Sequence, residues 1–165
     1  MNTPSNDELY MALALREAEK AARIGETPIG AVIVCDGKVI SRAHNARETD
    51  KNALYHAEIR AIYRACRALG GWRLHKCELY VTLEPCPMCA GAIMSARIKR
   101  VVYAAPDPKA GAYGGLFDLN AFAVNHKPIV ESGVMEAESR DLLKRFFAEL
   151  REKKKREKQE KQEKE

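Results

Sequence analysis

The chain has 165 residues, 46% of them hydrophobic, which suits one domain with a buried core. Its formal net charge is +5 with a pI near 9.0, a balance that fits a polyanionic partner without requiring one. No run approaches the roughly 18–20 uninterrupted apolar residues of a membrane span, and residues 1–5 lack a basic n-region and an apolar h-region, so a cytoplasmic protein with no membrane partner is expected.

Ser5 and Glu8 form a capping-box pattern ahead of an Ala/Leu-rich run, which predicts a helix over Leu9–Ile24 that stops at Gly25. Ile29–Val34 is rich in β-branched residues, Asp36-Gly37 is a turn dipeptide, and Val39-Ile40 follows, the signal of a β-hairpin. Ser41–Asn52 is polar and reads as a loop containing His44-Asn45. A second helix is expected from His56 to Leu69, before Gly70-Gly71. Glu78–Leu83 reads as a strand, Glu84-Pro85 breaks it, and Pro87–Arg97 reads as a helix with proline in its first turn. Arg100–Ala104 reads as the next strand, so a right-handed parallel βαβ unit is expected here.

Pro106–Gly115 reads as a loop over the site, and Lys127–Glu131 as a short edge strand. From Glu136 onward Leu142, Leu143, Phe146, Phe147 and Leu150 recur at helical spacing. The order predicts an α/β/α sandwich around a mixed, mainly five-stranded sheet, with the site at strand carboxyl ends and helix starts. One domain over 1–150 is expected, followed by a charged extension or tail over 151–165 that holds eight Lys/Arg against five Glu. Such a segment reads as a solvated helix or as an electrostatic guide toward nucleic acid.

Five cysteines is an odd number. Cys35, Cys66 and Cys77 sit in apolar or periodic segments and are expected to be buried free thiols. Cys86 and Cys89 stand three apart at a helix start, where both side chains share one face and free N–H groups favour thiolates. His56 lies 30 residues before Cys86, with Glu58 two residues after it. Two thiolates and an imidazole make three ligands for Zn²⁺ and leave a position open for water, the pattern of a catalytic zinc. Glu58 beside such a water can accept a proton and return it. A structural zinc would need a fourth protein ligand, for which His75 and Cys77 are the candidates; the chain would then be a zinc-stabilised RNA-binding module without catalysis.

The residues Gly25–Val32, His44-Asn45, His56-Ala57-Glu58-Ile59, Tyr80–Cys86 and Met88–Ala92 resemble the zinc-dependent cytidine deaminase superfamily, and within it the bacterial tRNA-specific adenosine deaminases. Asp107–Ala112, Asn125-His126 and the Phe146-Phe147 helix carry the narrower likeness, which spans roughly residues 5–151. The resemblance implies hydrolysis of adenosine to inosine at the wobble position of an arginine tRNA anticodon. It also implies a homodimer that binds the anticodon stem-loop, and one Zn²⁺ per subunit on His56, Cys86 and Cys89. Glu58 is the implied proton shuttle. Asn45, Pro28, Ile29, Asp107, Phe147 and Arg151 are the implied substrate contacts. For Asn45 the competing reading is a loop residue capping its own turn, and for Asp107 a turn-former before Pro108. For Phe147 and Arg151 it is a core aromatic and a solvated cation. Gly115 and Tyr55 depart from the family, which often carries serine at the first position and a small residue at the second. A deaminase of a free nucleobase or nucleoside is the competing activity.

Overall fold

The computed structural model describes residue 3 and residues 5–163. Helix α1 spans Asn6–Arg23, and its predicted capping box is formed: Glu8 N–H donates to Ser5 Oγ at 3.2 Å and Ser5 N–H to Glu8 Oε2 at 2.7 Å. Strands β1 (Gly30–Cys35) and β2 (Lys38–His44) form the hairpin. Its turn residues Asp36 and Gly37 both take positive φ, as a two-residue hairpin loop requires. Then follow α2 (Ala57–Leu69), β3 (Cys77–Leu83), α3 (Pro87–Ala96), β4 (Arg100–Ala105), a 3₁₀ turn at Leu119–Ala121, β5 (Ile129–Ser132) and α4 (Glu136–Gln162).

The strand order is β2-β1-β3-β4-β5. β1 pairs antiparallel with β2 and β3, while β3–β4 and β4–β5 are parallel, so the sheet is mixed as expected. Alternate residues of each strand feed two cores. Ala31, Ile33, Leu79, Val81 and Val101 pack on α2 and α3. Val32, Val34, Tyr80 and Val102 pack on Met11 and Ala14 of α1, with Met135 at the start of α4 against the same cluster. These are the two outer layers of the α/β/α sandwich.

Two expectations need correction. The first third of the segment read as loop, Ser41–His44, is strand. Its polar residues hid the period: Ser41 and Ala43 point inward under α2, Arg42 points out, and Ser41 Oγ–H donates to Ala61 O at 2.8 Å. Of the three outlying cysteines only Cys77 is buried; Cys35 and Cys66 are half-exposed, and all three are free. Burial pushes the Cys77 thiol up to about 12, so it is inert.

Gly30 marks the closest approach of sheet and helix. A Cβ there would lie 1.9 Å from Ala14 O and 2.5 Å from Ala18 N, both backbone atoms of α1. Neither can swing aside as a side-chain tip could. Gly30→Ala is therefore expected to cost about 1–3 kcal/mol by overpacking, read as a lower urea midpoint; an unchanged midpoint would show that α1 is free to shift.

At the end of the sheet where β3 and β4 begin, Arg100 gathers three acids from distant segments. Its guanidinium pairs with Asp7 at 2.7 Å, with Glu78 at 2.8 Å and with Glu131. Tyr80 O–H donates to Asp7 at 2.7 Å, and Arg100 holds the Asp7 carboxyl below its usual range. Among the described residues no helix is long and apolar enough to cross a membrane.

Candidate active site

The opposite end of the sheet collects the chemistry. β3 ends at Leu83, and Glu84-Pro85 leads into Cys86, which is the N-cap of α3 in extended backbone with Pro87 at the first helical position. Cys89 is therefore the third residue of α3. His56 is the N-cap of α2 and Glu58 its second residue. Two helix starts, each with unpaired N–H groups and partial positive charge, thus face one spot.

His56 Nδ1 lies 3.6 Å from Cys86 Sγ and 3.5 Å from Cys89 Sγ. One ligand atom from each of the three residues lies within 4.8 Å of the other two, a spacing that fits a single metal ion. Neither His75 nor Cys77 joins them. His75 is exposed, and Cys77 opens β3 while Cys86 follows its far end. Among the described residues no fourth protein ligand completes the set, so the geometry favours the catalytic over the structural pattern.

The hydrogen bond with Cys89, and next the one with His56, hold the Cys86 thiol down to about 4; Cys89 is driven upward by the same contact with Cys86 and keeps its proton. His56 is raised, chiefly by its hydrogen bond with Cys86. Glu58 is 4% exposed, and its Oε2 is a buried oxygen with no partner among the described residues. Burial pushes its carboxyl from an ordinary 4.5 up to about 7. An acid that exchanges its proton near neutrality, with one oxygen unspent, is suited to shuttling a proton.

Asn45 is buried, and its Oδ1 accepts from Ala57 N–H at 3.1 Å. It caps the start of α2, not its own turn, and so anchors the helix carrying His56 and Glu58. Its amide NH₂ has no protein acceptor among the described residues. Pro28 is buried and Ile29 half-buried, and Ile29 O accepts from Asn45 N–H at 3.1 Å. Both sit where β1 begins beside the end of β3, tied there by the Gly30 N–H to Thr82 Oγ1 bond of 3.1 Å. Tyr55, the bulky departure, turns its ring toward Arg60, 5.7 Å from the centroid.

Asp107 follows β4 at the same end of the sheet. Its Oδ1 accepts from the N–H groups of Lys109 and Ala110 at 3.0 and 3.1 Å, so that oxygen closes its own turn, as the structural reading had it. Phe147 is 41% exposed and packs edge-on against Phe146 at 5.4 Å; it is no core residue. Arg151 is exposed one turn further along α4, and no described hydrogen bond joins either residue to the metal-ligand cluster.

Sequence reasoning passed over Glu84. This buried carboxylate accepts from Asp107 N–H at 3.3 Å, Tyr113 N–H at 3.1 Å and Gly115 N–H at 3.0 Å, and so folds the whole 107–115 loop around itself. A Cβ on Gly111 would stand 1.8 Å from Glu84 Oε2, and one on Gly115 would meet Asp107 O at 2.0 Å. The loop therefore has no room for a side chain at Gly115 in this conformation. Tyr113, also missed, is buried with a hydroxyl that has no partner among the described residues; burial first, and then the charge of Asp118, raise its proton affinity. Glu84→Leu would leave three N–H groups stranded and is expected to cost about 3–5 kcal/mol, with new proteolytic cleavage within 106–115. A variant as stable as wild type and resistant in that loop would refute the role.

A three-layer α/β/α sandwich that presents His, Cys and Cys with a neighbouring buried glutamate at the starts of two helices defines a zinc-dependent deaminase. The model of the MafB19-like deaminase family matches residues 5–151, and the chain belongs to that family. It is 53% identical over 152 residues to the tRNA-specific adenosine deaminase of Bacillus subtilis strain 168, covering 92% of this chain and 94% of the relative. It is 49% identical over 143 residues to the tRNA-specific adenosine deaminase of Agrobacterium fabrum, covering 86% and 94%. Among solved structures it superposes on a tRNA:A34 deaminase, described in work on A-to-I editing at the wobble position of transfer RNA. The TM-score is 0.77 at 48% identity, over 82% of this chain and 99% of that one. It also resembles the guanine deaminase of Bacillus subtilis, with a TM-score of 0.60 at 41% identity over 70% and 71% of the two chains.

Proposed function

We propose that the chain hydrolyses adenosine to inosine at the wobble position of a tRNA anticodon, with arginine tRNA as its substrate and one Zn²⁺ per subunit. The observation that carries this is the buried Glu58, with one unpartnered oxygen, beside a three-ligand cluster. The tRNA-specific relatives support tRNA as the substrate class. His56, Cys86 and Cys89 would hold the zinc, which when bound supplies Lewis-acid activation of a water.

The remaining steps belong to the chain's own groups. Glu58 accepts a proton from the attacking water and delivers it to N1 of the adenine. As the water oxygen bonds to C6, Glu58 carries that oxygen's remaining proton to the amine, the C6–N bond breaks, and ammonia leaves. The free amide NH₂ of Asn45 donates to the nucleotide, while Pro28 and Ile29 shape the wall against which the base rests. Phe147 stacks on a splayed anticodon base and Arg151 pairs with its phosphate. Asp107 contributes its second carboxylate oxygen toward the substrate backbone. The catalytic domain is assigned to 1–150 and an extension to 151–165, although α4 runs across that boundary without a break.

A cytoplasmic homodimer is part of the same reading. The homodimer is supported by the exposed apolar side chains Leu54, Tyr63, Leu69 and Trp72 on and around α2, beside a groove of about 430 Å³ lined by Leu54, Tyr55, Ile59 and Tyr63. The zinc-loaded protein is to be incubated with a tRNA transcript carrying adenosine at the first anticodon position, and inosine read by sequencing. Activity on free guanine or cytosine, with none on the tRNA, would replace this reading with that of a nucleobase deaminase.

A further inference from the structure

We propose that one face of α4, from Lys144 to Lys158, is a basic rail that grips the phosphate backbone of an RNA duplex beyond the nucleotides at the active site. The inference rests on the RNA substrate proposed above and extends past residue 151, where the family match ends. α4 is continuous to Gln162, and every residue from 151 to 162 is exposed. A helix polar on all sides gains nothing from core burial, so its sequence is free to serve another purpose.

The charges on it are not spread evenly. At 3.6 residues per turn, Lys144, Arg151, Lys154, Lys155 and Lys158 point within about 60° of one direction, with the exposed Phe147 among them. The acids of the same stretch, Asp141, Glu149, Glu152, Glu157 and Glu160, lie about 80° or more away. Of the three cations on the other side of the same stretch, Arg145, Lys153 and Arg156, two are paired. Off the rail, Arg145 is bonded to Asp141 at 2.9 Å and Lys153 faces Glu157 at 4.0 Å. The five rail cations have no ion-pair partner among the described residues. Unpaired cations on one face with acids gathered on the other form a surface for a linear polyanion, not a self-neutralised helix.

The rail also points to the right place. Arg140, one turn before Lys144 on the same face and itself paired with Glu136 at 2.7 Å, lines a cleft of about 460 Å³ together with Glu84, Pro106, Pro108 and Gly115. The cations therefore start beside the loop latched by Glu84 and run outward for about 21 Å from Lys144 to Lys158. An RNA strand leaving the site would meet them in sequence. Contacts of this kind carry no base information; they add affinity, orient the duplex and make binding salt-dependent.

The test uses two full-length variants that lose equal charge. One replaces the rail by Lys154→Gln, Lys155→Gln and Lys158→Gln; the control carries Arg145→Gln, Lys153→Gln and Arg156→Gln on the other side. Glutamine keeps helix propensity close to that of the residues it replaces. Binding of a full-length tRNA transcript is followed by fluorescence anisotropy across a salt series. The rail variant is expected to bind about tenfold more weakly, with the slope of log affinity against log salt reduced by about two, as the loss of two to three phosphate contacts requires. The control is expected to keep the wild-type slope. Equal losses in both variants would mean that only net charge matters, and an unchanged rail variant would mean that the face is idle; either result overturns the rail while leaving deamination by the wild-type chain intact. A wild-type chain that binds no tRNA would overturn both the rail and the substrate assignment.

Discussion

Glu58→Gln is expected to lower deamination of adenosine by about 10²–10⁴-fold while leaving the zinc content unchanged. Glutamine keeps the shape and one oxygen but can neither take a proton from water nor return it. The carboxyl is not a metal ligand in this reading, so its loss should not loosen the ion. A second readout comes from burial. In the metal-free chain the folded state holds the Glu58 proton more tightly than the unfolded state, since its carboxyl sits at about 7 instead of 4.5. That contribution is fully present below 4.5 and is lost as pH rises through 7. Metal-free Glu58→Gln should therefore gain stability relative to metal-free wild type between pH 5 and 8, approximately, as seen in urea midpoints. Appreciable inosine formation by the variant, or loss of its zinc, would remove Glu58 from the role.

Cys89→Ala is expected to abolish both zinc retention and activity. Cys89 is fully buried, and it supplies one of the three ligand atoms that the described residues bring together. Alanine leaves two donors and a void, and two donors do not hold zinc against dilution. Because a metal that binds only the folded state stabilises it by mass action, a chelator should lower the melting temperature of the wild-type protein. The variant should melt at the same temperature with and without chelator. Zinc measured at one per chain in the purified variant would mean that another residue completes the set.

The parts of the site legible in the sequence were those built from short spacings. Cys86 and Cys89 are three apart at one helix start, so local geometry already puts them on a common face, and His56 and Glu58 are two apart at another, so both belong to the same helix end. The capping box of α1 and the Asp36-Gly37 turn were readable for the same reason. Glu84 was not, because what it binds is the backbone of a loop 23 to 31 residues further on, and backbone N–H groups leave no mark in a sequence. β2 was cut short because the inward side chains of its second half, Ser41 and Ala43, are small or polar and mimic a loop. Asp107 was visible as a turn-former, yet only the fold shows that one of its oxygens is spent on that turn.

The Arg100 cluster bears on time as well as on stability. Its partners lie 93, 22 and 31 residues away along the chain, so the cluster can assemble only after the sheet and α1 have come together. Loss of an interaction that forms after the folding transition state accelerates unfolding with little change in the rate of folding. Arg100 is thus expected to set how long each molecule persists between openings, as a latch on the end of the sheet furthest from the chemistry.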